Sequence, residues 1–343
     1  MLKRYLFVFI IIYININAQD IGSDYIYNPF SVFFSGGYGI FQLSTKENKP
    51  FDIDYRKEFR DLFFNLKHPI KQIKRFGFKK FFTSEILPDR ISINKAQFVP
   101  NYTLHFVGGI VCINKLKKWY KGNNFRYYSF FAYMTFYSYH LINEVVEDNS
   151  RDNINVDAIS DIYIFDLLAV LLSDNSKMQR LLTTLNANEW TTVPFYNPFN
   201  RKLENTSQNF VFKYKVSKKY KLFLYTGMNS VGGVSIPNNN DLDFSFGAGF
   251  SSKKIKSVNG HRNKGLFTAE IVPDFGFFID RNNSLLLSMI LSYNGNYRFK
   301  MNIFPTDFFS FGNIKPYLYF AFTAKKEYLF GLTFNKIPLG MFF

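Results

Sequence analysis

The sequence predicts an α+β protein, an N-terminal α-helical section followed by a C-terminal antiparallel transmembrane β-barrel of about eight strands. Three observations carry this. Beyond about residue 190, apolar and polar residues alternate in short runs, the period of strands whose successive side chains face opposite ways. Before it, apolar residues recur at helical spacing. The chain also opens on a segment built for export. The resulting division is a signal peptide over 1–19, a mainly α-helical section over 20–190 and a β-barrel over 191–343.

The opening "MLKRYLFVFIIIYININAQD" has a charged start at Lys3 and Arg4, an apolar run from Tyr5 to Ile14 and a small residue, Ala18. This is the layout of a secretory signal peptide cleaved after Ala18 or Gln19. The run is short for a membrane-spanning helix, although an uncleaved anchor is the alternative. No cysteine stands near the cleavage point, which argues against a lipoprotein. The expected location is the outer membrane of a Gram-negative-type cell envelope.

Composition agrees. Aromatics make up 20% of the 343 residues, with 44 Phe and 23 Tyr, as suits a surface that meets lipid. The net charge of +16 fits an anionic membrane surface or solubility. No basic recognition helix or nucleic-acid motif accompanies it, so nucleic acid is not an expected partner. The single cysteine, Cys112, excludes an internal disulfide and reads as a small core residue. The glycine clusters "SGGYG" and "VGGV" lack a Walker lysine, so no nucleotide cofactor is expected.

In the first half, Phe30 to Ser44 reads as a strand, or as a hairpin turning at Gly36-Gly37. Residues 55–85 read as two short basic helices separated by Pro69, with His68 a surface or cap residue. Each sets an apolar stripe against Lys and Arg. That pattern suits a helix lying in a membrane interface, and equally one packed on its own protein.

Three further helices carry the polar residues. Helix one, Asn101 to Tyr120, places His105 before Gly108 and Gly109. Adjacent glycines cost about 1 kcal/mol each against alanine and are tolerated where another backbone approaches closely. Helix two, Phe131 to Asn149, sets His140, Glu144, Glu147 and Asp148 on one face. Helix three, Asn155 to Leu172, has Asp157 and Asp161 four apart. Asp166 is rotated from Asp161 by about 140°, five steps of about 100°. Asp157 also suits the positive end of the helix dipole.

The candidate catalytic residues are therefore His105, His140, Glu144, Asp157 and Asp161. The candidate metal ligands are His105, His140, Glu144 and Asp161. Three roles fit. One is a structural network, since buried carboxylates need partners. The second is a divalent metal site, for which two histidines and carboxylates suffice, although no HExxH spacing is present. The third is acid–base chemistry on a lipid or cell-wall fragment through a His–Asp or His–Glu pair. Ser138 or Ser160 would then be the nucleophile, though neither lies in a GxSxG context.

The second half divides into strands near 208–217, 219–228, 241–251, 265–279, 284–294, 296–304, 315–324 and 327–343. "DLDFSFGAGF" sets Leu242, Phe244, Phe246, Ala248 and Phe250 opposite Asp243, Ser245, Gly247 and Gly249. "NYRFKMNIF" sets Tyr297, Phe299, Met301 and Ile303 opposite Arg298, Lys300 and Asn302. A tilted strand of roughly ten residues crosses a bilayer, with charges inward or at the rims and aromatics toward lipid. A secreted, water-soluble β-sandwich is the alternative. Asn188 to Asn205 reads as the connector into the barrel, and Trp119 and Trp190 as interface anchors.

Two resemblances bear on these residues. His105-Phe106, Tyr137-Ser138 with Glu144, and Asp157 with Asp161 resemble the helical layout of VanZ-like proteins. Asp161 stands where that family has Asn, and Ile164 where it has Gly. The whole chain resembles uncharacterised outer-membrane proteins of the DUF3943 type, which implies a helical section before a C-terminal barrel and no particular reaction. The end "KIPLGMFF", alternating to a terminal aromatic, resembles the assembly signal of outer-membrane barrels despite Pro338. It implies the barrel-assembly machinery as a partner beside outer-membrane lipid. The expected function is a structural or envelope-maintenance role without catalysis. The alternative is a lipid- or envelope-modifying enzyme using the helical His/Glu/Asp cluster.

Overall fold

The structure, a computed structural model, describes residues 21–42, 48–87, 101–147, 156–238, 241–257, 267–293, 296–306, 310–311 and 313–343. The expected signal peptide, Asp148 and His261 lie outside these residues. The architecture is α+β. Helices occupy the chain up to Thr184, and strands begin at Asn188. No helix among the described residues is long and apolar enough to cross a membrane.

Residues 30–44 form no strand. Pro29–Gly37 is an α-helix, capped by the Asn28 side chain accepting from Ser31 N, and a 3-10 turn Gly39–Gln42 follows. Proline in the first turn and an Asx cap are helix-start signals. They outweigh the β-leaning "SVFF". The glycines serve helix packing rather than a turn. A Cβ on Gly36 would lie 2.5 Å from the Tyr139 ring. Pro69 does divide Tyr55–Lys67 from Pro69–Phe76, and Phe78–Phe81 and a π-helical turn, Phe82–Ile86, follow. His68 sits at the break, its Nδ1 3.0 Å from Phe64 O.

Thirteen strands of the described residues form one sheet. They are β1 (Asn188–Glu189), β2 (Phe195–Asn197), β3 (Lys202–Glu204), β4 (Phe210–Lys215), β5 (Lys221–Thr226), β6 (Asn229–Pro237), β7 (Leu242–Ser257), β8 (Phe267–Arg281), β9 (Ser284–Ser292), β10 (Tyr297–Ile303), β11 (Pro316–Thr323), β12 (Tyr328–Phe334) and β13 (Gly340–Phe342). From β4 to β13 each strand pairs antiparallel with the next. The meander thus has ten strands, not about eight. β6 is hard to see because "VGG" leaves few side chains to alternate. Its Gly233 is required, since a Cβ there would meet Phe246 O at 2.1 Å. The run 327–343 is two strands, split around Pro338, which has no N–H for a ladder.

The stretch 188–205 is part of the sheet rather than a bare connector. Its first half pairs with β4, Trp190 N donating to Asn209 O and Thr192 N to Ser207 O. Its second half pairs with β13, in parallel, with Gly340 N donating to Pro194 O. One chain segment therefore bonds to both outer strands of the meander, while β1 and β3 end the hydrogen-bonded order.

The faces follow the alternation. On β5, Leu222 and Leu224 are exposed while Phe223 and Tyr225 are buried. On β7, Phe246 and Phe250 are exposed while Asp243, Ser245 and Ser251 are buried. Tyr297 departs from the expected register. A bulge between Tyr297 and Phe299 shifts β10 by one residue. Such a slip exchanges the faces, so Tyr297 points inward, its hydroxyl bonded to Glu204, and Arg298 is exposed. Trp190 is no interface anchor either. It is fully buried beside Phe223 and Phe278, and its Nε1 donates to Asn283 O at 2.8 Å.

Candidate functional site

Helix two, Tyr128–Glu147, places His140 and Glu144 one turn apart, both buried. Helix one begins as a π-helix, Asn101–Gly108, which carries His105, and continues as the α-helix Gly109–Gly122. Gly109 lets the three helices converge, for a Cβ would lie 2.9 Å from Phe136 and 3.0 Å from Ala169. The approach is made by side chains, not by another backbone. Cys112 lies in the core behind this junction.

Helix three corrects the expectation for Asp166. Between Asp157–Ser160 and Leu167–Ser173 the chain is π-helical over Asp161–Asp166. A π turn bonds residue i to i+5, so residues five apart stack as residues four apart do in an α-helix. Asp161 and Asp166 therefore share a side. Asp166, fully buried, becomes the hinge of the cluster. Its Oδ1 lies 3.0 Å from His105 Nδ1 and 2.7 Å from His140 Nδ1. The first is a hydrogen bond; the second has ion-pair distance but is out of line for one. His105 Nε2 lies 3.3 Å from Asp161 Oδ2. Each nitrogen of His105 thus faces a carboxylate.

The electrostatics separate the two imidazoles, whose centroids are 4.3 Å apart. Burial pulls the His105 pKa down, but Asp161 and Asp166 outweigh it and raise it to about 9. Burial, aided by neighbouring His105, pushes His140 down to about 4 against the pull of Asp166. At neutral pH His105 is the imidazolium and His140 is neutral. Burial would raise Asp166, yet the imidazoles hold it below the ordinary carboxylate value. Asp161 goes the other way. Burial drives it well up, and Asp157, Glu144 and Asp166 add to the shift.

Around this core, Ser160 Oγ donates to Asp161 Oδ1 at 3.2 Å and to Asp157 O at 2.7 Å. Ser160 is thus committed to helix three rather than to a histidine. Asp157 is half-buried at the rim and shares a hydrogen bond with Glu85. Glu85 is fully buried, and burial raises its pKa. Glu147 accepts from Asn143 Nδ2 at 3.4 Å and is outside the centre. The sequence reading missed Glu85 and Asn101. Asn101 Nδ2 donates to Glu85 O at 3.3 Å. Glu85 lies on a separate segment, so no spacing tied it to a histidine, whereas Asn101 stands four residues before His105 on the same helix and that spacing could have flagged it. Asp166 did leave a signal, a carboxylate inside the apolar run "IFDLLAVLL".

Beside the histidines lies a cavity of about 30 Å³, lined by Ser35, His105, Tyr139, His140, Asn143 and Gln208 among others. That is space for a water rather than an acyl chain. Gln208 links the cavity to the strands, donating to Tyr139 OH at 3.2 Å and to Glu189 Oε1 at 3.1 Å. Among the described residues, two arrangements of donor atoms could enclose a divalent cation. His105, His140 and Asp166 form one; His105, Glu144 and Asp161 form the other. In each set the atoms lie within 4.8 Å of one another. Mixed imidazole and carboxylate donors suit zinc, iron or manganese. Without a cation, the same groups form a charged network tying three helices together.

No family model matches the chain, and no curated protein or solved structure matches it.

Proposed function

We propose that this chain is an outer-membrane protein with a structural, envelope-maintaining role. In this reading β4 to β13 close into a barrel through the segment 188–197, and the helical section forms its cap or plug. The observation that carries the reading is that large apolar side chains line the exposed face of the sheet, while charged pairs are buried among the aromatics on its inner face. Lys213 and Asp280 are buried on one face, while Leu222, Phe246, Phe275 and Leu291 stand about half exposed on the other. A water-soluble sandwich buries the apolar face and exposes the charged one. A barrel in lipid does the opposite. The buried His105–Asp166 centre then locks helices one, two and three. Heat-modifiable gel mobility of protein from the outer-membrane fraction tests the barrel, a shift between unheated and boiled samples being expected.

A second reading, an envelope-modifying enzyme, is favoured by one observation, the cavity onto which both His105 and His140 open. A protonated imidazole beside a neutral one supplies an acid and a base at one water-sized site. Single changes His105→Ala, His140→Ala and Asp161→Ala separate the readings. The structural role predicts loss of folded, membrane-inserted protein. The enzymatic role predicts normal yield and a lost envelope phenotype.

A further inference from the structure

Within the basic helices, residues 62–83 carry six cations, Lys67, Lys71, Lys74, Arg75, Lys79 and Lys80, and no carboxylate. The apolar stripe expected there divides in two. Leu62, Leu66, Phe76 and Phe81 turn inward and pack with Val145, Val156 and Ile159. A second set stays outside: Phe63 is 53% exposed, Ile70 69%, Phe78 71%, and Phe64 and Phe82 are exposed too. Packing on the protein therefore accounts for only half of the apolar residues. Large exposed apolar side chains interleaved with lysine and arginine are what an interfacial segment presents to a bilayer. Basic residues near an anionic headgroup layer add attraction that falls off within a Debye length.

We propose that the stretch 62–83 docks on an anionic lipid surface, its exposed aromatic and aliphatic side chains entering the headgroup boundary and its cations meeting lipid phosphates. Single-stranded nucleic acid also joins basic grooves to aromatic platforms. Here, though, one of the two most exposed positions is Ile70, which has no ring to stack and suits an acyl boundary. The inference deepens the membrane reading and rests on it for a bilayer being at hand.

The test uses the full-length chain carrying Phe78→Trp, reconstituted into phosphatidylcholine vesicles with or without phosphatidylglycerol, some lipids bearing brominated acyl chains. The background is the unsubstituted chain, with its two tryptophans. The expected result is bromine quenching of the added tryptophan in anionic vesicles and little in zwitterionic ones. In the triple variant Lys71→Gln, Lys74→Gln, Arg75→Gln, docking should weaken by about a hundredfold, roughly fivefold per cation. Equal quenching in both lipids, or none in either while protease protection shows the strands inserted, overturns the proposal. So does a preference for an added oligonucleotide over anionic vesicles. Should the chain stay soluble and refuse to insert, the barrel reading fails alone. Cosedimentation with anionic but not zwitterionic vesicles would still support this surface, and its absence would overturn it.

Discussion

His105 and Asp166 meet Nδ1 to Oδ1 at 3.0 Å, sealed from solvent, although α-helical spacing would turn Asp166 away from the other partner of His105, Asp161. The π-helical turn Asp161–Asp166 makes the geometry possible. Breaking a buried ion pair by removing one member typically costs about 3–5 kcal/mol. Asp166→Ala is therefore expected to destabilise the helical section by that amount, read as a lowered unfolding midpoint in far-ultraviolet circular dichroism. An unchanged midpoint would mean that the pair contributes nothing.

The two histidines predict opposite pH limbs. His105 is raised to about 9, above its ordinary 6.5. Folding then retains a proton that the unfolded chain releases, so this stability is complete below about 6.5 and is lost as pH rises through about 9. His140 is lowered to about 4, so the unfolded chain gains a proton first. Its contribution is lost as pH falls from about 6.5 toward 4. Asp166, held low, adds to the acid loss, while Asp161, held high, opposes it, its own contribution being lost as pH rises above the ordinary carboxylate range. Difference profiles isolate each term. His105→Gln should flatten the alkaline limb and His140→Phe the acid limb of stability measured in urea from pH 4 to 9.

Gly36 is packed against the residue that precedes His140. A methyl group there would reach within 2.5 Å of the Tyr139 ring. Gly36→Ala should cost about 1–3 kcal/mol, as overpacking does, and displace helix two. Gly122→Ala is the control. Nothing lies within 4 Å of its added Cβ, so it should be neutral or slightly stabilising.

Inside the sheet, Lys213 Nζ lies 3.0 Å from Asp243 Oδ2 and also bonds Asp280. Lys221 Nζ reaches Asp243 at 2.6 Å but is not paired with Asp280. Lys213→Ala should therefore leave Asp280, which still accepts from Asn283 N, without its cation and lower the temperature at which the unheated gel form converts to the boiled form. Adding Asp280→Ala should restore much of the loss, because a lone buried charge costs more than an absent pair.

Much of this architecture was legible in the sequence, and the gaps have physical causes. Phe246, Asp243 and Ser245 announced their faces because period-two alternation is a direct consequence of pleating. β6 hid because Gly232 and Gly233 have no side chain to alternate. Tyr297 was assigned outward because nothing local marks a bulge. His105, His140, Glu144 and Asp161 do converge in the structure, as their spacing suggested. Asp166 showed only as a carboxylate in an apolar run, with nothing to place it in the cluster, and Glu85 left no signal. The first depends on a change of helix type and the second on the contact of segments far apart in the chain. Phe30 to Ser44 reads as β-structure in the sequence because its Phe and Val outweigh the helix-start signal at Asn28-Pro29.

The central claim, a sheet turned apolar side out toward lipid, is tested most directly by single nitroxide labels at Phe275 and Ser245 in the reconstituted full-length chain. The one native cysteine, Cys112, is buried and does not compete for the label. The account predicts that the label at 275 is relaxed by oxygen dissolved in the bilayer and shielded from a water-soluble nickel reagent, while the label at 245 is reached by neither lipid nor lipid-borne oxygen. Free access of the nickel reagent to position 275, in a protein that stays dissolved without detergent, would contradict it.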